Sequence, residues 1–563
     1  MNKTLTQVGR PKRARMLATV LCLSLAVAAG AQQAAPGAQQ SPSQVPPGNS
    51  ATTARHITPE QARQLFASVD KIMQFSSDDS GLPIKSEVKR RLTSRDAVVA
   101  YLEKNFNTDK DSKRMERDEI VLKKFGLLDR DFHLKPFLLA LLKEQIEAYY
   151  DIKTKTINLL NWVQPDEQKP VLAHELTHAL QDQHSNLEKW ENQTPEDVST
   201  TAEGDQVSLA KDEMDSARDA VAEGQATAVM MDYILKPMGK SLVKDPEVVN
   251  VIRQHMAASA NSPVMSRAPL LLSESMLFPY RDGLSFEQDV WMDQGKTAAF
   301  AGALNRPPTS TWEIMNPRYY EKKLIPPIPL LPNIHPLVDK LYRPYDIGQI
   351  GELDIKIMTQ LFGGERASRN LTPAWDGGLY WAGQLRSATT PAQQSSTKSL
   401  AIFSLVAWRN AASANEYAQI YADDLGRKYS SVEPDTAAES AGPAPDGSIE
   451  QVFKTEEGPV VITTRGRMVF VTESFPLNLA RKLTNLILSA QGGGAMQTAR
   501  NAEPAWPFLE PGSAAIPAIP ANQLGGPLSG GLVRFFSRCG VLKATVDAEM
   551  KSAAAIRAAA GTR

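Results

Sequence analysis

The chain has 563 residues, 42% of them apolar, which is enough to bury more than one core; 22% are charged, with a formal net charge of -1. This balance supplies neither the broad basic field that holds nucleic acid nor the acidic excess of a disordered chain, so partners have to be argued from local sites. The two cysteines are Cys22 and Cys539.

Arg10, Lys12, Arg13 and Arg15 precede an apolar run from Met16 to Ala29 that ends in Ala29-Gly30-Ala31. That order predicts a secretory signal peptide over 1–31, and the run is shorter than the roughly 20 residues a spanning helix needs. The expectation is therefore export to a periplasmic or extracellular location with no stable membrane span after cleavage. Removing the leader leaves only Cys539, which excludes an intrachain disulfide. Residues 32–55 are mostly Gln, Ala, Pro and Ser and predict a disordered linker.

From Thr58-Pro59-Glu60 to about Gln145 the apolar residues recur at helical spacing, with breaks at 80–83 and 107–111. Ile146 to Asp151 and Thr156 to Leu160 then predict two short strands about the turn 152–155. Gln168 to about Trp190 returns to helical spacing, with Pro170 expected in the first turn. A second helix is expected from about Ala217 to Leu235, stopped by Lys236-Pro237. The Lys89-Arg90-Arg91 run is expected on a solvated helix face. Residues 56–345 are read as a mainly helical unit and 346–372 as a helical connector. Alternation returning after Trp375 predicts an accessory α+β domain at 373–490, and the Gly, Pro and Ala content of 491–563 predicts a poorly ordered tail. The fold class expected is thus α+β: a mainly helical domain with a short hairpin, followed by a smaller α+β domain.

The chemistry sits in His174-Glu175-Leu176-Thr177-His178. Residues four apart share a helix face, so both imidazoles can point at one ion, with Glu175 beside them as general base for a metal-activated water. A third protein ligand is needed. Glu223 is favoured, on the second helix, where Gly224 and Ala226 are small enough to permit close approach of the first. Glu203 and His184 are the rivals; His184 has the spacing of a His-x-x-Gly-x-x-His extension, but Gln181 stands where that motif bends at glycine. Tyr233, Tyr280, Tyr319, Tyr320, His255 and His335 are all chemically able to stabilise an oxyanion.

Ala173 to His184, with Tyr149-Tyr150-Asp151 before it and Glu223-Gly224-Gln225-Ala226-Thr227 after it, resembles a gluzincin-type metallopeptidase, and more narrowly is similar to a family of exported bacterial proteins. The likeness extends through Glu119 to Leu128 and Pro307 to Tyr320, covering roughly residues 80–490. The resemblance implies a zincin-like metallopeptidase fold with residues 56–345 as the catalytic unit, one zinc ion on His174, His178 and Glu223, Glu175 as base, a peptide or protein substrate, and a strand edge within 147–160 that holds it. Thermolysin-like members carry an aspartate four residues past the third ligand, where this chain has Thr227. The alternatives are a non-catalytic cell-envelope binding protein on a peptidase fold, and a metal-dependent amidase acting on cell-wall material.

Overall fold

The computed structural model describes residues 56–108, 110–145, 148–193, 198–258, 263–439 and 446–491, with a few positions between Ser529 and Ala554. The expected leader, the linker and most of the tail, Cys539 included, lie outside the described residues. The first helix, α1 (Pro59–Ser80), begins at a reciprocal cap: Thr58 Oγ1 accepts from the Gln61 N–H and the Gln61 side chain accepts from the Thr58 N–H, at 3.1 and 2.8 Å. Gly81, at φ 76°, closes it in the left-handed conformation that glycine tolerates.

Next come β1 (Lys89–Thr93), α2 (Arg95–Thr108), α3 (Lys110–Phe125), α4 (Leu134–Gln145), the hairpin β2 (Tyr149–Asp151) and β3 (Thr156–Leu160), and α5 (Pro165–Ser185). The hairpin stands at the expected turn, with β3 over Thr156–Leu160 as expected and β2 over the last three residues of the expected strand; Ile146 and Glu147 lie outside the described residues. β1 is a correction, because the Lys89–Arg91 run is strand, pairing parallel to β3 with Arg90 opposite Ile157. As an edge strand it can carry charge at every exposed position, and Arg90 reaches Asp70 of α1 at 2.7 Å. The start of α5 is a second correction: it begins at Pro165, so Pro170 lies inside the helix, where its ring nitrogen makes no bond to the preceding turn.

After α6 (Leu187–Trp190) and α7 (Ala202–Lys211), α8 (Met214–Leu235) runs almost wholly buried; α9 (Glu247–Ala258) and α10 (Leu270–Gln294) follow. α1, α5, α8 and α10 form the packed centre of the helical body. Gly224 does not serve the approach of α8 to α5, as the sequence suggested. A Cβ there would lie 2.4 Å from the backbone of Gly283 on α10, and one on Gly283 would lie 2.1 Å from Ala220 O. Neighbouring helix positions point about 100° apart, so Glu223 and Gly224 serve different partners.

The remaining sheet has seven antiparallel strands in the order β4-β5-β6-β10-β9-β8-β7, namely β4 (Tyr342–Gln349), β5 (Trp375–Leu385), β6 (Leu400–Trp408), β7 (Val432–Pro434), β8 (Ile449–Thr455), β9 (Gly458–Arg465) and β10 (Met468–Glu473). It begins ahead of residue 373, because Pro344 and Asp346 disguise β4 as loop and a register shift falls between them. Alternate residues sort into two cores: Val460, Ile462, Val469 and Val471 join the core of the helical body, while Val461 and Phe470 pack with Leu479, Leu483 and Ile487 of the last helix, Leu477–Ala490. The Lys124 ammonium of α3, fully buried, reaches Glu457 Oε2 at 2.7 Å between β8 and β9 and fastens body to sheet. The architecture is α+β, and no helix among the described residues is long and apolar enough to cross a membrane.

Candidate metal centre

His174 and His178 stand one turn apart on α5, and Glu223 comes from α8 across a buried crossing. His174 Nε2 is 3.0 Å from Glu223 Oε2 and 3.0 Å from His178 Nε2, and His178 Nε2 is 3.4 Å from the same carboxylate oxygen. A four-coordinate ion with bonds of about 2.0–2.1 Å sets its donor atoms roughly 3.3–3.4 Å apart, so this triangle fits a shared metal ion within a few tenths of an ångström. Among the described residues these three form the one grouping of His, Cys, Asp and Glu side chains close enough to hold an ion. The His174 side chain is fully buried and that of His178 is 12% exposed, which puts the solvent approach on the His178 side.

Without an ion, the buried carboxylate finds its countercharge in a proton. Burial alone pulls the His178 imidazolium down, but the charge and hydrogen bond of Glu223, with Glu175 behind it, outweigh burial and lift it to about 9. Burial likewise pushes Glu223 up, and the two imidazoles overcome this and hold it at about 2.

Glu175, also fully buried, accepts from the Tyr150 backbone N–H at 2.6 Å. Tyr150 lies on β2, an edge strand, with its N–H turned away from β3 and toward α5. Its phenol donates to Asp182 Oδ2 at 2.9 Å, and Lys155 in the hairpin turn meets the same carboxylate at 2.6 Å. Glu175 and Asp182 are seven residues apart, two helical turns on one face, so the hairpin is fastened along α5 at both points.

The rivals for third ligand lie elsewhere. Glu203 is exposed in the first turn of α7, and His184 Nε2 faces Asn305 Oδ1 at 3.1 Å. Of the six residues able to stabilise an oxyanion, Tyr280 packs on the cluster, its ring centroid 6.1 Å from that of His174. Tyr233 packs edge-on against Phe75, Tyr319 accepts from Arg409, Tyr320 donates to Arg306 O, and His335 sits between Asp205 and Asp339. The His255 side chain lies outside the described residues. Thr227 does not take up the role of the thermolysin-like aspartate: its hydroxyl and His174 Nδ1 are both buried without a protein hydrogen-bond partner.

Sequence reasoning missed two residues. Gln181, read only as a missing glycine, accepts from His178 Nδ1 at 2.8 Å, and Gln225 is bonded to Gln181 at 2.9 Å. The spacing of Gln181, three residues past His178 on the same helix, was the one available signal. No protein-family model, curated protein or solved structure matches the chain.

Proposed function

We propose that this protein is a zinc-dependent hydrolase of peptide bonds, acting outside the cytoplasm through a gluzincin-like site. The observation that carries the reading is the convergence of His174, His178 and Glu223 within 3.0 to 3.4 Å, with Glu175 on the same helix as both histidines. Holding a metal does not require that fourth carboxyl group; activating a water does. Two imidazoles and one carboxylate suit zinc, being too poor in oxygen for calcium or magnesium and lacking the thiolates of a purely structural site. When bound, zinc supplies Lewis acidity, bringing the pKa of a coordinated water toward about 7 and polarising the carbonyl under attack. Glu175 takes the water's proton and returns it to the leaving amine. The Tyr150 N–H fixes the Glu175 carboxylate. The basic, apolar and small-residue order of the first 31 residues supports export.

Elemental analysis of the purified chain tests the reading, with one zinc per chain expected in the parent protein and in Glu203→Ala and His184→Ala, and none in Glu223→Ala. Hydrolysis of a quenched peptide library is expected from the parent chain and not from zinc-loaded Glu175→Gln. A zinc-free parent chain, or undiminished turnover by Glu175→Gln, refutes it.

A further inference from the structure

Resting on the zinc reading, we propose that Gln181 and Gln225 are positioning residues: a two-amide relay through which backbone carbonyls near residue 300 dictate which nitrogen of His178 is free to bind a metal. Gln225 Nε2 lies 3.0 Å from Ala299 O and 3.0 Å from Phe300 O, in the π-helical turn Ala298–Gly302. A carbonyl oxygen only accepts, so the Gln225 amide nitrogen must face this turn and its oxygen must face Gln181. That oxygen is 2.9 Å from Gln181 Nε2, which also donates to Ala222 O at 2.9 Å. Both amide hydrogens of Gln181 are thereby used, and its oxygen must face His178. An amide oxygen has no proton to give, so His178 Nδ1, 2.8 Å away, must be the donor.

With the proton on Nδ1, the neutral ring carries its lone pair on Nε2, the atom that converges on His174 and Glu223. Orientation passes without ambiguity from two backbone acceptors, through two side chains, to a histidine tautomer, although no single bond in the relay would fix it alone. Both glutamines are 0% exposed, so water cannot replace a lost partner. Turning either amide over sets nitrogen against its bonded donor and oxygen against carbonyl oxygens, breaking three bonds and leaving buried groups unsatisfied. The acceptor at Nδ1 is a neutral amide where a carboxylate would make the ring a stronger donor, so the relay fixes direction without adding charge beneath the ion.

The test is Zn2+ affinity of the metal-free full chain, measured by competition with a chromophoric chelator, on the parent protein, Gln181→Met, Gln181→Glu and Gln225→Met, with circular dichroism to verify folding. Methionine keeps the volume and loses the acceptor; glutamate keeps an acceptor oxygen. Expected are a loss of about 10–100-fold in Gln181→Met, a loss near the lower end of that range in Gln225→Met, and substantial recovery in Gln181→Glu. A role in packing alone predicts the reverse order, with methionine harmless and the buried glutamate worst. If Gln181→Met binds as tightly as the parent, or Gln181→Glu is as weak as Gln181→Met, the relay is overturned and the zinc reading stands. A parent chain that binds no zinc overturns both. Should Gln181→Met fail to fold, Gln225→Met decides, because it leaves the bond to His178 intact and only frees the amide to turn.

Discussion

The cluster's own proton predicts how metal affinity must change with pH. In the metal-free chain Glu223 stays ionised down to about 2 and holds a proton on His178 up to about 9. An arriving ion needs the His178 lone pair and must expel that proton. The sign follows: affinity rises with pH below about 9 and levels off above it. At pH 7 the proton on His178 leaves the competent cluster a minority, and each unit below the His178 pKa costs a further factor of ten, so apparent affinity lies well below its plateau. Chelator competition between pH 6 and 8, corrected for the chelator's own protonation, is expected to show close to a tenfold gain per pH unit. Calorimetry in buffers of different ionisation enthalpy is expected to show about one proton released per ion from this group. In Glu223→Gln the largest countercharge is gone and burial is opposed only by Glu175 and the Gln181 hydrogen bond, so the slope near pH 7 flattens while overall affinity falls. A flat profile in the parent chain, with no proton released, would refute the assignment of a His178–Glu223 charge pair.

Three further outcomes follow from other residues. Glu175→Gln is expected to retain zinc and lower kcat by about 10²–10⁴-fold on peptide substrates, the usual contribution of a positioned general base. Gly224→Ala, whose Cβ would sit 2.4 Å from the Gly283 backbone, must part α8 and α10 by about an ångström; chemical denaturation is expected to register a loss of about 1–3 kcal/mol. Gly426→Ala, with nothing within 4 Å of its Cβ, serves as the control, and equal stability of the two would sink the close-approach argument. Glu213, buried with Thr311 Oγ1 on one oxygen, is raised by burial and then by Asp354 from 4.5 to about 8. A carboxyl raised on folding is a stability liability that is absent below its unfolded pKa and grows as pH climbs to the folded one. Glu213→Gln is therefore expected to match the parent at pH 4 and to exceed it by a few kcal/mol at pH 9 in urea melts, and no change with pH would contradict it.

The parts of the site that were legible in the sequence are those written in local periodicity. His174, Glu175 and His178 declare themselves at helical spacing, the β2–β3 hairpin by alternation about 152–155, and Glu223 by its place in a second helix. What escaped depends on partners brought together only by the fold. Gln225 meets Ala299 O and Phe300 O at separations of 74 and 75 residues. Gly224 gave a correct signal of close approach but no indication of which neighbour, because α5 and α10 both press on α8. β4 was hidden by proline and aspartate in positions that only the register shift beside them accommodates. The Lys89–Arg91 run misled because a strand edge and a helix face tolerate charge equally well.

The Lys124–Glu457 ion pair closes a loop of 333 residues, whereas His174 and Glu223 are separated by 49. Loop closure grows costlier with length, and contacts distant in sequence form late. As the chain collapses, the helices bearing the cluster can therefore meet before the sheet has formed, and the buried ammonium of α3 waits for a countercharge that lies at residue 457 of 563. A metal ion bound by the cluster during that interval would draw α5 and α8 together, and refolding with and without zinc tests whether it raises the yield of native protein.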